Sequence, residues 1–212
     1  MIPNIAEYVD VDPQTDLLEE LFALCNADFN TFGKTLWKSF SLESRDGEDT
    51  EYLKLFDPLL EIHRSVHPDM QKRSTGFNTS TSTEHDLFAH TDIDLDQEHP
   101  NYYNIVMPVF GNSVIEYFET NEDEIWLPEK NAHGYAYYHE FKNRTAENYE
   151  DFLQQRKIGE IEVNKPVLID TNTMHRVLPT ETPRCAWVTR WINIPKEVDY
   201  QTFKVKVETV LS

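Results

Sequence analysis

The chain has 212 residues, of which 39% are hydrophobic and 12% aromatic, enough for a single domain with elaborations and a core that needs no disulfide or metal staple. Nineteen basic residues against 38 acidic ones give a net charge of −19, a field that repels nucleic-acid phosphates and anionic lipid heads. The two cysteines, Cys25 and Cys185, form no Cys-x-x-Cys pair, which excludes a disulfide scaffold or zinc ribbon and fits a reducing compartment.

No stretch reads as a membrane span. The longest segment without Asp, Glu, Lys or Arg, His99 to Ile115, is interrupted by Pro100, Pro108, Gly111 and asparagines. Met1 to Glu7 carries no basic region ahead of an apolar run, so a soluble, cytoplasmic protein is expected.

In chain order, Asp12-Pro13 places a capping oxygen before a proline suited to the first helical turn, and Leu17, Leu18, Leu21, Phe22, Leu24 and Cys25 follow at helical spacing. The pattern predicts a helix over 13–26. Leu36 to Leu42 alternates apolar and polar residues and ends in Ser44-Arg45-Asp46-Gly47, a strand and a turn. Asp57-Pro58 repeats the helix start ahead of Leu59, Leu60, Ile62 and Val66, with an upstream extension to Tyr52 and a bend at Pro58 as the variant, and His67-Pro68 supplies a stop.

From Thr75 the texture turns to short strand-like runs: 75–83, 87–92, 102–109, 114–118, 125–127, 134–139, 159–163, 167–170 and 185–194. Short strands separated by Gly, Pro and Asn predict a barrel or double-sheet jelly roll. One helix interrupts them, with Thr145 as its cap and Gly159 as its stop. The expected organisation is one α+β, mainly β domain over 1–212. An α-rich support (1–74) packs on a β core (75–195) that carries an insertion over 121–159, and 196–212 forms a C-terminal extension.

His90-Thr91-Asp92 closes the apolar run Leu87-Phe88-Ala89. Positions i and i+2 of a strand share a face, so the imidazole and the carboxylate point the same way. Pro166-Val167-Leu168-Ile169-Asp170 is a second buried strand, followed after a turn by His175. Two histidines and one carboxylate on one side of a metal form the facial triad that leaves positions open on non-haem Fe(II). A His-x-Asp pair alone is weak evidence, because a hydrogen-bonded strand end has the same pattern. Arg184 adds to it: it opens the apolar run Cys185-Ala186-Trp187-Val188, where a guanidinium can clamp the far carboxylate of a dicarboxylate whose other end chelates the metal.

His90-x-Asp92, then Leu168-Ile169-Asp170-(x4)-His175-Arg176-Val177-x-Pro179, then Arg184 ahead of a strand ending in Trp191, together resemble the 2-oxoglutarate- and Fe(II)-dependent oxygenases, especially their prolyl-hydroxylase-like branch. The resemblance covers about 75–195. It implies a double-stranded β-helix (jelly roll, cupin-like), His90, Asp92 and His175 as ligands of Fe(II), and Arg184 on the C5 carboxylate of 2-oxoglutarate. It also implies a hydroxylase that uses O2 and yields succinate and CO2 as coproducts. Ala186 stands where several branches carry a second hydroxyl contact to that carboxylate, and Tyr103 is the expected substitute.

Arg190 and Trp126 are the candidate contacts to a peptide or small-molecule substrate, with an ion pair to an acidic side chain as the plain alternative for Arg190. Trp126, Tyr135, Tyr137 and Tyr138 in the 121–159 stretch serve either as a lid or as packing between the Thr145 helix and the sheet. His63-(x3)-His67 reads as an exposed or capping pair, and Glu122-Asp123-Glu124 as a solvated turn. Two other classes compete: a cupin-type metal-binding protein without oxygenase activity, in which Arg184 has no role, and a catalytically idle jelly-roll interaction module. The sequence leaves the prime substrate and the oligomeric state open.

Overall fold

A computed structural model describes residues 1–24, 37–39, 50–70, 75–80, 88–92, 101–126, 139–180 and 182–212. Its first part comprises β1 (Ala6–Tyr8), α1 (Thr15–Leu24), β2 (Trp37–Ser39), α2 (Thr50–Val66) and β3 (Gly76–Ser80). There follow β4 (Asn101–Phe110), β5 (Ser113–Phe118), β6 (Ile125–Trp126), β7 (Glu140–Phe141) and α3 (Tyr149–Arg156). The chain ends with β8 (Lys157–Val163), β9 (Val167–Asp170), β10 (Met174–Val177), β11 (Arg184–Ile194) and α4 (Tyr200–Leu211). It is a mixed α/β protein, mostly strands in antiparallel sheets. A six-stranded sheet has the order β1-β9-β4-β11-β3-β2, a three-stranded one the order β10-β5-β8, and β6 pairs with β7.

Strand alternation gives the larger sheet two different faces. Tyr103, Ile105, Met107 and Val109 of β4 and Cys185, Trp187 and Trp191 of β11 face one way, into a core shared with Leu18 and Leu21 of α1, Phe56, Leu59 and Leu60 of α2, and Phe203 and Val207 of α4. The alternate residues Val106, Ala186 and Val188 face the smaller sheet, where they meet Ile115, Tyr117, Ile161 and Val163. A third cluster, with Phe118, Met174, Phe141, Tyr149 and Leu153, packs α3 and β7 on the smaller sheet.

The helices follow their apolar stripes more closely than their capping signals. In α4, Tyr200, Phe203, Val207 and Leu211 are buried at helical spacing, and each large apolar side chain so buried contributes roughly 1.5–3 kcal/mol. The Asp199 side chain caps this helix by accepting from the Thr202 amide at 2.8 Å. Residues 196–212 are thus part of the main core and not an appendage to it. In α2, Asp57-Pro58 starts no helix, because the helix already runs from Thr50. Pro58 is exposed, and on the exposed side of the helix an interior proline costs less than it would in the packed core.

Two other caps differ from expectation. Asp12 accepts from the amide of Gln14, whose φ is 53°, so Asp12-Pro13 forms a turn outside α1. Thr145 lies in the successive turns that return the chain from buried Phe141 to buried Tyr149, and the α3 cap is Asn148, which makes no side-chain capping bond. Gly159 does not stop α3 either. The helix yields at Lys157 to extended backbone, and Gly159 lies within β8, where an added Cβ would come 2.9 Å from the Ile2 side chain. Only 37–39 of the expected 36–42 strand and 75–80 of the expected 75–83 strand lie in described segments, and nearly all of the 134–139 run lies outside them. No helix among the described residues is long and apolar enough to cross a membrane.

His63 is not exposed. It is 1% accessible, stacks on Trp191 with ring centroids 5.7 Å apart, and its Nδ1 has no hydrogen-bond partner. His67 is the capping member of the pair, with Nδ1 accepting from the Asp69 amide. Burial lowers the pKa of His63 from 6.5 to about 4. Because the unfolded chain takes up this proton first, stability falls as pH drops through the window from 6.5 to 4 and levels off below it. At 1.36 kcal/mol per unit the full window is worth on the order of 3 kcal/mol. His63→Phe keeps a ring against Trp191 and removes the titration. Denaturant unfolding at pH 7 and at pH 4.5 should show wild type losing about 2 kcal/mol more than the variant between the two conditions, and equal losses would refute the assignment.

Candidate metal centre

The site is built by backbone pairing before any side chain contributes. The amide of His90 donates to the carbonyl of His175 and the amide of His175 to the carbonyl of His90, both at 2.9 Å. Such a mutually bonded antiparallel pair sets two side chains on the same face. The next bond shifts partner, the Asp92 amide donating to Thr171 O at 2.9 Å, while Thr171 donates in turn to Tyr102 O. The 88–92 segment therefore makes isolated bridges and not the regular strand expected over 87–92. Thr91, pointing away from the two ligand candidates, accepts from the His139 amide at 3.2 Å, and its own amide donates to His139 O. Ala89 donates to the Tyr149 hydroxyl at 3.3 Å. This short segment is thus fastened to β10, to the turn after β9 and to the 139–141 stretch, and Phe141, Tyr149 and Phe152 pack together beside it; the side chains of Trp126, Tyr135, Tyr137 and Tyr138 lie outside the described residues.

The hydrogen bonds assign the imidazole nitrogens. Nδ1 of His90 lies 2.8 Å from Phe88 O, and Nδ1 of His175 lies 2.8 Å from Thr173 O. A carbonyl only accepts, so both Nδ1 atoms carry the proton and both Nε2 atoms present lone pairs. Asp92 divides its oxygens the same way. Oδ2 accepts from Arg190 at 3.0 Å and from Asn104 Nδ2 at 3.2 Å, whereas buried Oδ1 has no hydrogen-bond partner and stands 3.5 Å from His90 Nε2.

One ligand atom from each of His90, Asp92 and His175 falls within 4.8 Å of the others. Three donors at ~2.1 Å and right angles around one ion would be ~3 Å apart, so this donor set fits a divalent cation after a small contraction. The orphaned carboxylate oxygen is the atom that such an ion would satisfy.

Electrostatics prepare the donors. Burial acts to raise Asp92, but the Arg190 guanidinium beside it outweighs that and holds its carboxyl well below the usual carboxylate range. Burial lowers His175 to about 4, keeping its imidazole neutral and able to ligate at physiological pH.

A cavity of about 60 Å³ runs from this centre between the two large sheets, lined by Asn78, Asn104, Val106, Ser113, Ile115, Val177, Arg184, Ala186, Val188 and Arg190 among others. At ~10–15 Å³ per probe-sized water, it has room for a small molecule. Arg184 is 3% exposed, and its Nε and Nη2 have no hydrogen-bond partner. Burial lowers its pKa to about 10, which leaves it a cation at neutral pH.

The other expected contacts fare differently. Tyr103 is on the opposite face of β4 from Asn104: its ring packs on Tyr200 and Phe203, and its hydroxyl donates to Val198 O at 3.4 Å. Strand alternation thus removes it from the cavity. Arg190 does line the cavity, but one terminal nitrogen is committed to Asp92, so the ion-pair alternative holds and it supports a candidate ligand. The backbone of Trp126 lies in β6, and its side chain falls outside the described residues. Asn104 escaped the sequence reading. Its signal is a polar residue in the otherwise apolar Ile105-Val106-Met107 stretch, and its meaning emerges only when Asp92 is placed beside it.

No family model matches the sequence, and no curated protein matches it. Among solved structures, the chain is similar to AviO1 from Streptomyces viridochromogenes Tue57, with a TM-score of 0.41 and 10% sequence identity over 87% of this chain and 86% of that one.

The metal assignment has a direct check by calorimetric titration with Mn(II). Wild type should bind one equivalent, and Asp92→Ala should abolish that tight binding. Arg190→Met should weaken it by about ten- to a hundredfold, the usual effect of losing a support to a ligand. Unchanged binding in Asp92→Ala would place the ion elsewhere.

Proposed function

We propose that the chain is a non-haem Fe(II)- and 2-oxoglutarate-dependent oxygenase of jelly-roll (double-stranded β-helix) architecture, hydroxylating a small molecule or a peptide residue inside the cell. The observation that carries this reading is Arg184: a buried guanidinium with two unpartnered donors opens into the same cavity as a three-donor metal set. A buried cation without a counter-charge is costly, and an anionic ligand removes that cost. A protein that bound only metal in this site would leave those donors unused.

In this reading, Fe(II) held by His90 Nε2, His175 Nε2 and Asp92 Oδ1 would supply the oxidising chemistry that couples loss of CO2 from 2-oxoglutarate to oxygen insertion in the second substrate. The protein's own residues do the positioning. Arg190 and Asn104 occupy Asp92 Oδ2 and so restrict the carboxylate to one ligating oxygen, keeping coordination positions open. Phe88 O and Thr173 O fix the orientation of the imidazoles. Arg184 receives the distal carboxylate as a two-pronged donor. The aliphatic walls between these ends limit water around the reacting centre. With a charge of −19, the prime substrate is a small molecule or peptide in preference to a nucleic acid.

The test is turnover of 2-oxoglutarate by protein reconstituted with Fe(II) in air, read as succinate by mass spectrometry. Wild type should form succinate even without a prime substrate. Arg184→Lys keeps the charge but loses the planar fork, and should raise the 2-oxoglutarate concentration for half-maximal turnover at least tenfold while metal binding stays within twofold. Absence of both succinate formation and 2-oxoglutarate binding in the Fe(II)-loaded wild type would overturn the reading.

A further inference from the structure

Two consecutive residues at the start of α3, Tyr149 and Glu150, reach the chain neighbours of both histidine donors. The Tyr149 hydroxyl accepts from the amide of Ala89, the residue before His90, at 3.3 Å. Glu150 accepts from both terminal nitrogens of Arg176, the residue after His175, at 2.7 and 2.9 Å. Successive helical residues point ~100° apart, so one turn can serve two segments: Tyr149 is buried with its aromatic ring against Phe88, while Glu150 lies at the surface. Arg176 is fixed to receive it. Strand alternation turns its side chain to the outer face of the smaller sheet, where Nε donates to buried Glu116 across the β10–β5 pair at 2.9 Å, and Glu116 also accepts from Lys157 at 2.7 Å. With the two backbone bonds between His90 and His175, these contacts close a circuit: Ala89, His90, His175, Arg176, Glu150, Tyr149 and back to Ala89.

We infer that this circuit is a clamp on the metal centre, with Tyr149 and Glu150 as positioning residues that hold His90 and His175 at their separation and carry metal occupancy out to α3. The inference rests on the metal-binding part of the proposed function and not on the cosubstrate. The need for a clamp follows from the pairing. β10 is at the edge of its sheet, and His90 meets His175 beside it as an isolated bridge and not as part of a ladder. So short a two-stranded contact is marginal on its own, and an ion that draws its donors together would displace the two segments unless something braces them from behind. Because α3 touches both, a shift of His90 against His175 also strains or relieves the Tyr149 and Glu150 contacts. By reciprocity, whatever α3 contributes to metal binding, the metal contributes to α3. The closed path also puts the two links in series: cutting either opens it, and cutting the second then adds little.

Calorimetric titration with Mn(II) tests the clamp by binding alone. Tyr149→Phe keeps the aromatic ring on Phe88 and removes only the hydroxyl, and Glu150→Gln removes the charge opposite Arg176. Each should weaken Mn(II) binding about three- to fivefold, the scale of one hydrogen bond or one partly exposed ion pair. The double variant should stay within about twofold of the weaker-binding single one, as links in series require. Asp151→Asn removes the other acidic residue of the same helical turn and should bind like wild type, which separates a lost link from lost charge at the helix end. Hydrogen exchange gives the reciprocal measurement: saturating Zn(II) should slow exchange across both 88–92 and 149–156 in wild type, and in the double variant the slowing should persist at 88–92 and vanish from 149–156. Four results each overturn the clamp while leaving the metal site in place: single variants that bind like wild type, effects that multiply in the double variant, an Asp151→Asn effect equal to that of Glu150→Gln, or exchange in α3 that is the same with and without metal. If wild type binds neither ion, the metal site falls and the clamp with it.

Discussion

The carboxylate of Asp92 is buried, and Arg190 and Asn104 both donate to one of its oxygens. Burying a carboxylate costs several kcal/mol unless a counter-charge and hydrogen bonds compensate it. Here the compensation comes from adjacent strands of the larger sheet, β4 and β11, at a pair of facing residues. Asp92 itself stands on a short segment tied to the turn after β9. The pairing register of the sheet therefore decides whether the metal donors converge. A slip of one residue in β11 would turn Arg190 to the helical side and leave Asp92 without its cation.

The same register divides the chemistry of β11 by face. Trp187 and Trp191 face the helices and hold them, Trp191 through stacking on His63 and a hydrogen bond from its Nε1 to His63 O at 3.0 Å. Arg184 and Arg190 face the cavity. One strand is thus both the floor of the helical core and the wall of the cavity, so the helices pack directly against the strand that carries both arginines. The third cluster does the same from the other side, since Tyr149 and the 139–141 segment fasten the loop that carries His90 and Asp92.

Charge is handled unevenly along the cavity. At the metal end Asp92 serves Arg190 as counter-charge, and burial keeps the His175 imidazole neutral. At the opposite end Arg184 has two donors without a partner. Native proteins rarely leave buried donors unmade, and a cavity that ends on such a group is shaped for an anion. This asymmetry favours a cosubstrate oxygenase over a simple metal-binding barrel.

The sequence by itself determined the elements whose signal is local. Apolar stripes at helical spacing placed α1 and α2, short strand-like runs set off by Gly, Pro and Asn placed β4, β5 and β11, and the i, i+2 spacing put His90 and Asp92 on one face. His175 and Arg184 were legible because each stands next to a buried apolar run that fixes a strand. The caps at Asp12, Thr145 and Asp57 misled, since a capping oxygen is a weak preference that a turn or a longer apolar stripe overrides. Helix α4 went unread because its polar positions, Gln201, Lys204 and Lys206, dilute the stripe formed by Tyr200, Phe203, Val207 and Leu211. Only the tertiary structure decided the partners: that Arg190 belongs to Asp92, that Asn104 completes that pair, and that Tyr103 turns to the helices while Ser113 faces the cavity. Each depends on which strands lie side by side and in which register, and that is fixed by packing between residues far apart in the chain, which no local pattern encodes.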